Sequence, residues 1–429
     1  MVSMRSRIMA WATRWYLARQ SKKGFDLSKM ALLPDGALMP LKRDGLDPVP
    51  ALREAREAAP VSKLPIPFGV NVWLVTGYEE AKTVLGNAKS YSNDFANLVG
   101  EHGASASHSP GGLGFADPPE HTRLRKLLTP EFTMRRLSRL TPGIKAIIDQ
   151  QLDGMAAVDG PVDLVEHFAL PIPSLVICEL LGVPYDDRDD FQRLSMARFD
   201  LFGGATASLG AISESLAYLT EVVKKQRAEP GDGLLGMLIK EHGDDISDQE
   251  LAGLADGVLT GGFETTASML ALGALVLLQD PDAFRLIHDD DTAVHGFVEE
   301  VLRHLTVVQV AFPRFARADV EVGGEKIDKG DVVIVSLSAA DRDPALGTNL
   351  ETVDPQRAPT SHLAFGHGVH RCIGAELARM ELRAAYPALV RRFPDLRLAG
   401  PAEDLNYRKV SIVYGVETLP VLTCPPPRD

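Results

Sequence analysis

One cysteine, Cys372, has neighbours suited to chemistry. It sits in the run Phe365-Gly366-His367-Gly368-Val369-His370-Arg371-Cys372-Ile373-Gly374, just ahead of a helical pattern that begins at Ala375. A buried cysteine is ordinarily a small, inert hydrophobe. Here cationic side chains fill both preceding positions and a helix starts just beyond, and both features lower a thiol pKa. The flanking glycines let backbone N–H groups turn toward the sulfur and let a flat cofactor come close. Cys178 lies in the apolar run 175–181 and reads as core; Cys424 lies in the tail. No C-x-x-C pair exists, so zinc spacing is excluded.

A second constellation is Thr260-Gly261-Gly262-Phe263-Glu264-Thr265-Thr266-Ala267, inside a long apolar helical pattern over 248–278. Adjacent glycines cost a helix roughly 1 kcal/mol each against alanine. A threonine hydroxyl can bond the i−4 carbonyl and bend the helix. Thr265 stands four residues after Gly261, so the pattern predicts a local opening with Glu264 and Thr265 at a hydratable spot. A bare Gly-Gly would rather suit a helix–helix packing notch. In Glu300-Val301-Leu302-Arg303 the acid and base stand at i,i+3, the spacing of a helical ion pair. In Asp117-Pro118-Pro119-Glu120-His121-Thr122-Arg123-Leu124-Arg125, His121 and Arg125 share one helix face.

Together, in this order, these motifs resemble the cytochrome P450 family over residues 47–422. The cysteine run matches the pattern F-G-x-G-x-H-x-C-x-G at every fixed position. The resemblance implies a mainly α fold with small peripheral β-sheets, and haem b (iron protoporphyrin IX) between a distal and a proximal helix. Cys372 is then the iron ligand, and Phe365, Gly366 and Gly374 shape its loop. His121, Arg125, Arg314 and His370 are the implied partners of the haem propionates, since carboxylates want such donors. Glu264 and Thr265 organise water and deliver protons for dioxygen cleavage, and Glu300, Arg303 and Arg357 form a buried network fixing the cysteine loop. Val353 departs from the family pattern, where many relatives carry phenylalanine.

The implied activity is a monooxygenase acting on a small, mainly apolar substrate, fed by an external ferredoxin or flavodoxin with its NAD(P)H-dependent reductase. Two alternatives are a peroxide-driven haem-thiolate enzyme and a non-enzymatic haem sensor or electron carrier. Arg123, Arg125, Lys126, Arg135, Arg136 and Arg139, against Glu120 and Glu131, form a basic segment that would dock an acidic redox partner by charge. Substrate-lining stretches fall at 93–114, 199–207, 307–312 and 411–413, with Leu98, Val99, Phe199, Leu201, Phe202, Val308, Val310 and Ile412; no residue there selects a substrate.

The elements that must position these groups are mostly helical: 121–128, 140–155, 173–181, 209–227, 248–278, 294–305 and 375–393. Short β-runs are expected at 72–76, 319–322 and 331–337, with a hairpin turn at Gly323-Gly324, and a β-rich stretch over 410–422 broken by Gly415. The 429 residues are 45% hydrophobic and 24% charged, enough for a large core. The net charge of −13 argues against nucleic acid as a partner. The low cysteine content suits a reducing cytoplasm. No stretch reaches the roughly 18–20 apolar residues of a membrane span. Residues 1–40 read as a basic extension and 41–429 as one catalytic domain. Trp11 and Trp15 fall at helical spacing among the basic residues 5–23. Such a helix can touch a membrane surface, although packing of its aromatic face on its own protein is preferred.

Overall fold

The computed structural model describes residues 34–66, 71–94, 112–183 and 205–424. The amphipathic 1–23 segment with Trp11 and Trp15, and Leu98, Val99, Phe199, Leu201, Phe202, Gly203 and Gly204, lie outside the described residues.

A helix spanning Asp248–Gln279 runs through the centre. Ser247 caps it, accepting from the Glu250 N–H while the Glu250 side chain accepts from the Ser247 N–H, a capping box. It is the one described helix long and apolar enough to cross a membrane, yet 72% of its apolar window is buried inside the protein, as for a core helix. Its apolar residues surround it because helices pack on several sides: Pro171–Leu181, Ala205–Ala228, Ala293–Leu305 and Ala375–Arg392. Where the central and Ala375–Arg392 helices cross, Tyr386 donates its hydroxyl to the Met269 carbonyl at 2.5 Å. A Cβ at Gly273 would lie 2.0 Å from that hydroxyl, so the close approach requires glycine.

Small sheets flank this helical body. In the five-stranded sheet the order is Val61–Lys63, Val72–Val75, Val332–Val335, Arg314–Ala316, Tyr91–Ser92. Val332–Val335 runs parallel to Val72–Val75, pairing Val333 with Trp73, and antiparallel to Arg314–Ala316. The Val320–Val322 and Glu325–Ile327 hairpin turns through Gly323 and Gly324, both at positive φ, as their sequence predicts. The expected strand over 331–337 stops at Val335, because Ser336 caps a short helix, Leu337–Ala340, through the Ala339 N–H. The 410–422 stretch is corrected too. Only Pro420–Leu422 forms a strand; Val413 and Val416 make isolated bridges to Val308 and Tyr407. The Gly261-Gly262 opening is also revised: the helix assignment runs unbroken through both glycines, although Thr265 does bond the Gly261 carbonyl.

Candidate functional site

The cysteine loop is shaped by its backbone. Gly366 and Gly368 adopt φ of +69° and +74°, where L side chains are strained. A Cβ on Gly368 would also lie 2.5 Å from the Leu85 carbonyl oxygen. The Cys372 N–H donates to the Phe365 carbonyl at 2.8 Å and closes the loop. The Gly374 N–H points at the sulfur, at the start of the Ala375–Arg392 helix. Arg125, Arg371 and Arg379 bring positive charge to it.

Two parts of the sequence expectation need correction. Although Cys372 as a residue is exposed, desolvation around its sulfur outweighs the N–H and the cations, so the thiol is raised rather than lowered. His370 is not a cation either. Burial, with His121, Arg314 and Arg125 nearby, pulls it down to about 3, so the charge beside the sulfur comes from the arginines.

His121, Arg125, Arg314 and His370 are brought together from three segments. The rings of His121 and His370 lie 4.2 Å apart between centroids. His121 is 1% exposed, and neither ring nitrogen has a hydrogen-bond partner. A buried polar group left so costs about 1–3 kcal/mol. Arg314 is buried and pushed down to about 10 by desolvation; its Nη1 donates to the Phe312 carbonyl at 2.8 Å. Arg125 is likewise lowered by burial. The acid that acts on this group, Asp117, already accepts from Ser92, the Asn93 N–H and Arg317. Two guanidiniums and two neutral imidazoles thus share a half-buried space short of negative charge. A flat group carrying two carboxylates, with a metal facing Cys372, fits that donor set.

Glu264 and Thr265 make their contacts elsewhere. The Thr265 hydroxyl donates to the Gly261 carbonyl at 2.7 Å, the back-bond its spacing predicts. Glu264 is buried and accepts from Arg408 at 2.6 Å. Desolvation raises its carboxyl, and Arg408 pulls the other way. Arg408 was not legible in the sequence as a site residue. It lies on a loop 144 residues away, and an isolated arginine near a chain end carries no spacing signal. The same loop donates the Tyr414 N–H to Val307 and accepts the Gln309 N–H at Ile412. That joins the 307–312 and 411–413 stretches, where Phe312 and Ile412 keep 46% and 49% of their surface exposed. Phe312 packs edge-on against Phe115, centroids 4.6 Å apart.

The Glu300 network forms as expected. Arg303, 0% exposed, donates Nε and Nη2 to Glu300 at 2.8 Å each. Arg357 Nε and the Asp354 N–H reach the same carboxylate at 3.1 and 2.9 Å. These donors hold Glu300 below the usual carboxylate range despite its burial. Arg303 and Arg357 spend their other N–H groups on the carbonyls of Asp341, Leu350, Thr348 and Asn349, which knits the segment before the cysteine loop.

The basic segment is much less free than its composition suggests. Arg123 pairs with Glu120 and Glu250, Arg136 and Arg139 pair with Glu131, and Arg125 turns toward the cysteine. Lys126, Arg135 and Arg371 remain exposed, as do the apolar Met134 and Val369.

The family model for cytochrome P450 matches residues 67–228 and 216–398. Cytochrome P450 165B3 of Amycolatopsis orientalis is 39% identical over 391 residues, covering 89% of this chain and 97% of that protein. Mycinamicin IV hydroxylase/epoxidase of Micromonospora griseorubida is 38% identical, covering 86% of this chain and 94% of that protein. Among solved structures, OxyC, a P450 implicated in an oxidative C–C coupling reaction during vancomycin biosynthesis, superposes with a TM-score of 0.80. It is 38% identical, with 88% of this chain and 95% of that chain covered.

Proposed function

The chain belongs to the cytochrome P450 family, and on that premise we propose that its haem b monooxygenase activity takes electrons from an external ferredoxin or flavodoxin and acts on a medium-sized, mainly apolar substrate. Haem would supply the dioxygen chemistry, with a thiolate ligand donating the electron density that favours O–O cleavage. Cys372 is assigned as its iron ligand. His121, Arg125, Arg314 and His370 hold the propionates, with Phe365, Gly366 and Gly374 forming the loop against the macrocycle. The observation that supports this reading is the buried His121, whose two ring nitrogens lack hydrogen-bond partners, beside two arginines lowered by desolvation, with Asp117 the one acid acting on Arg314.

Glu264 and Thr265 have the chemistry of a proton relay. The Thr265 hydroxyl gives its hydrogen to Gly261 O, which leaves its oxygen lone pairs to accept from water. Burial brings the Glu264 carboxyl closer to the operating pH, as proton transfer prefers. This acid–threonine pair favours monooxygenation over a peroxide-driven reaction. The exposed apolar faces of Phe312 and Ile412 support an apolar substrate. The exposed Lys126, Arg135 and Arg371, beside Met134 and Val369, support docking of an acidic partner with an apolar centre. A soluble, cytoplasmic protein of one catalytic domain over 41–429, with 1–40 as an appended segment, agrees with these assignments.

The test is a carbon monoxide difference spectrum of the purified, reduced holoprotein. The expected result is a Soret band at the long wavelength of an anionic sulfur donor; its absence overturns the assignment of Cys372. Titrating the ferric protein with a lipophilic library and reading the spin-state change then identifies the substrate class. A library without any responder, including large apolar members, overturns the apolar-substrate reading.

A further inference from the structure

Two neighbouring carboxylates on one helix grip the two ends of the cysteine loop. Glu300 holds the segment ahead of it, through Asp354 and Arg357. Glu299 turns to the other side. It accepts Nε and Nη2 of Arg379 at 2.7 and 2.8 Å, a bidentate pair. It also accepts Arg383 Nη2 at 3.0 Å and meets His362 Nε2 at 3.3 Å. Arg379 stands on the helix that follows the cysteine, and its Nη1 reaches Glu376 at 3.0 Å. These donors hold Glu299 well below the usual carboxylate range.

The guanidinium of Arg379 also lies over the ring of Phe365, 4.6 Å from its centroid. Phe365 is the residue whose carbonyl accepts the Cys372 N–H. A line of contacts therefore runs from Glu299 through Arg379 and the Phe365 ring to the backbone of Cys372. Only arginine offers a planar face for the ring and a two-pronged edge for the carboxylate together.

We propose that Arg379, clamped by Glu299, is a positioning residue for Cys372: its flat face fixes Phe365, whose carbonyl accepts the Cys372 N–H. The proposal rests on Cys372 being the iron ligand. Lysine at this position keeps the charge and loses the plane; glutamine loses both.

The test uses full-length holoprotein of the wild type, Arg379→Lys, Arg379→Gln and Glu299→Gln. Two quantities are read: the rate at which the reduced carbon monoxide complex converts from the thiolate to the thiol Soret band, and the ferric–ferrous midpoint potential. Conversion accelerates several-fold in Arg379→Lys and Arg379→Gln, and less in Glu299→Gln, beyond what the change in melting temperature accounts for. The potential falls in Arg379→Gln, because a cation that favoured the reduced state is gone, and stays near the wild-type value in Arg379→Lys. Should Arg379→Gln not retain haem, Arg379→Lys and Glu299→Gln still decide the outcome. Wild-type conversion rates in these variants overturn the proposal, as does acceleration that merely tracks a lowered melting temperature. A wild type without the thiolate band overturns the ligand assignment instead.

Discussion

At Glu264, burial raises the carboxyl pKa and Arg408 lowers it. Replacing Arg408 with glutamine leaves desolvation unopposed. The folded value then rises further above the unfolded one, so the stability difference grows as pH increases through that interval. Arg408→Gln is expected to lose about 1–3 kcal/mol at pH 8, and less at pH 5; denaturant unfolding at the two pH values checks this. In Glu264→Gln the carboxyl proton is absent altogether, and turnover should fall about 10²-fold while substrate affinity holds, measured as kcat and KM. Cys372, Glu264 and Thr265 stand out in the sequence because their signal lies in neighbours a few positions away. Arg408 was not, because its meaning lies in a partner on another segment. The direction at the Cys372 thiol escapes the sequence for a related reason: flanking cations are written in the chain, whereas desolvation is a property of the fold.

Among the elements, the Ala293–Leu305 helix matters through what Glu300 holds. Glu300→Ala would strand Arg303 without its carboxylate in a fully buried place, at a cost of about 3–5 kcal/mol. The expected outcome is protein that purifies with little or no haem, read as haem per polypeptide. Gly368→Ala acts on the cysteine loop directly, with a strained φ and a methyl pressed onto the Leu85 carbonyl; it too should lose haem, and unfold several degrees lower in a thermal melt. The helices around these points were read to within a few residues from apolar periodicity and caps. Among the described helices that the sequence pattern does not mark are Pro50–Ala58, Leu234–His242 and Pro281–Asp289. Each is nine residues long, too short for its periodicity to stand out, and each is fixed by tertiary packing. The 410–416 part of the β-rich stretch has strand-like composition, but its bridges go to single residues on other segments, and only Pro420–Leu422 joins a ladder.

Acid response belongs to the whole molecule, because it sums over buried groups from distant segments. His304 is buried against Arg342 and Asp47, and its folded value drops from 6.5 to about 4. Between those values the unfolded chain binds a proton that the folded chain refuses, so stability falls as pH drops. Asp47, lowered to about 2, adds a loss below pH 4 with the same sign. His304→Gln should flatten the decline between pH 6.5 and 4 by about 2 kcal/mol, seen as melting temperatures that depend less on pH than in the wild type.

The parallel pairing of Val332–Val335 with Val72–Val75 also has a consequence for biosynthesis. While the ribosome is still short of codon 332, the Val72–Val75 segment has its early antiparallel neighbour, Val61–Lys63, and nothing on its other edge. The faces of that strand carry Trp73, Leu74 and Val75, which the finished molecule hides almost entirely. A nascent or prematurely terminated polypeptide therefore presents a sticky, unpaired β-rim for most of its synthesis. Chaperone demand during expression should track the time spent translating the stretch between those two strands.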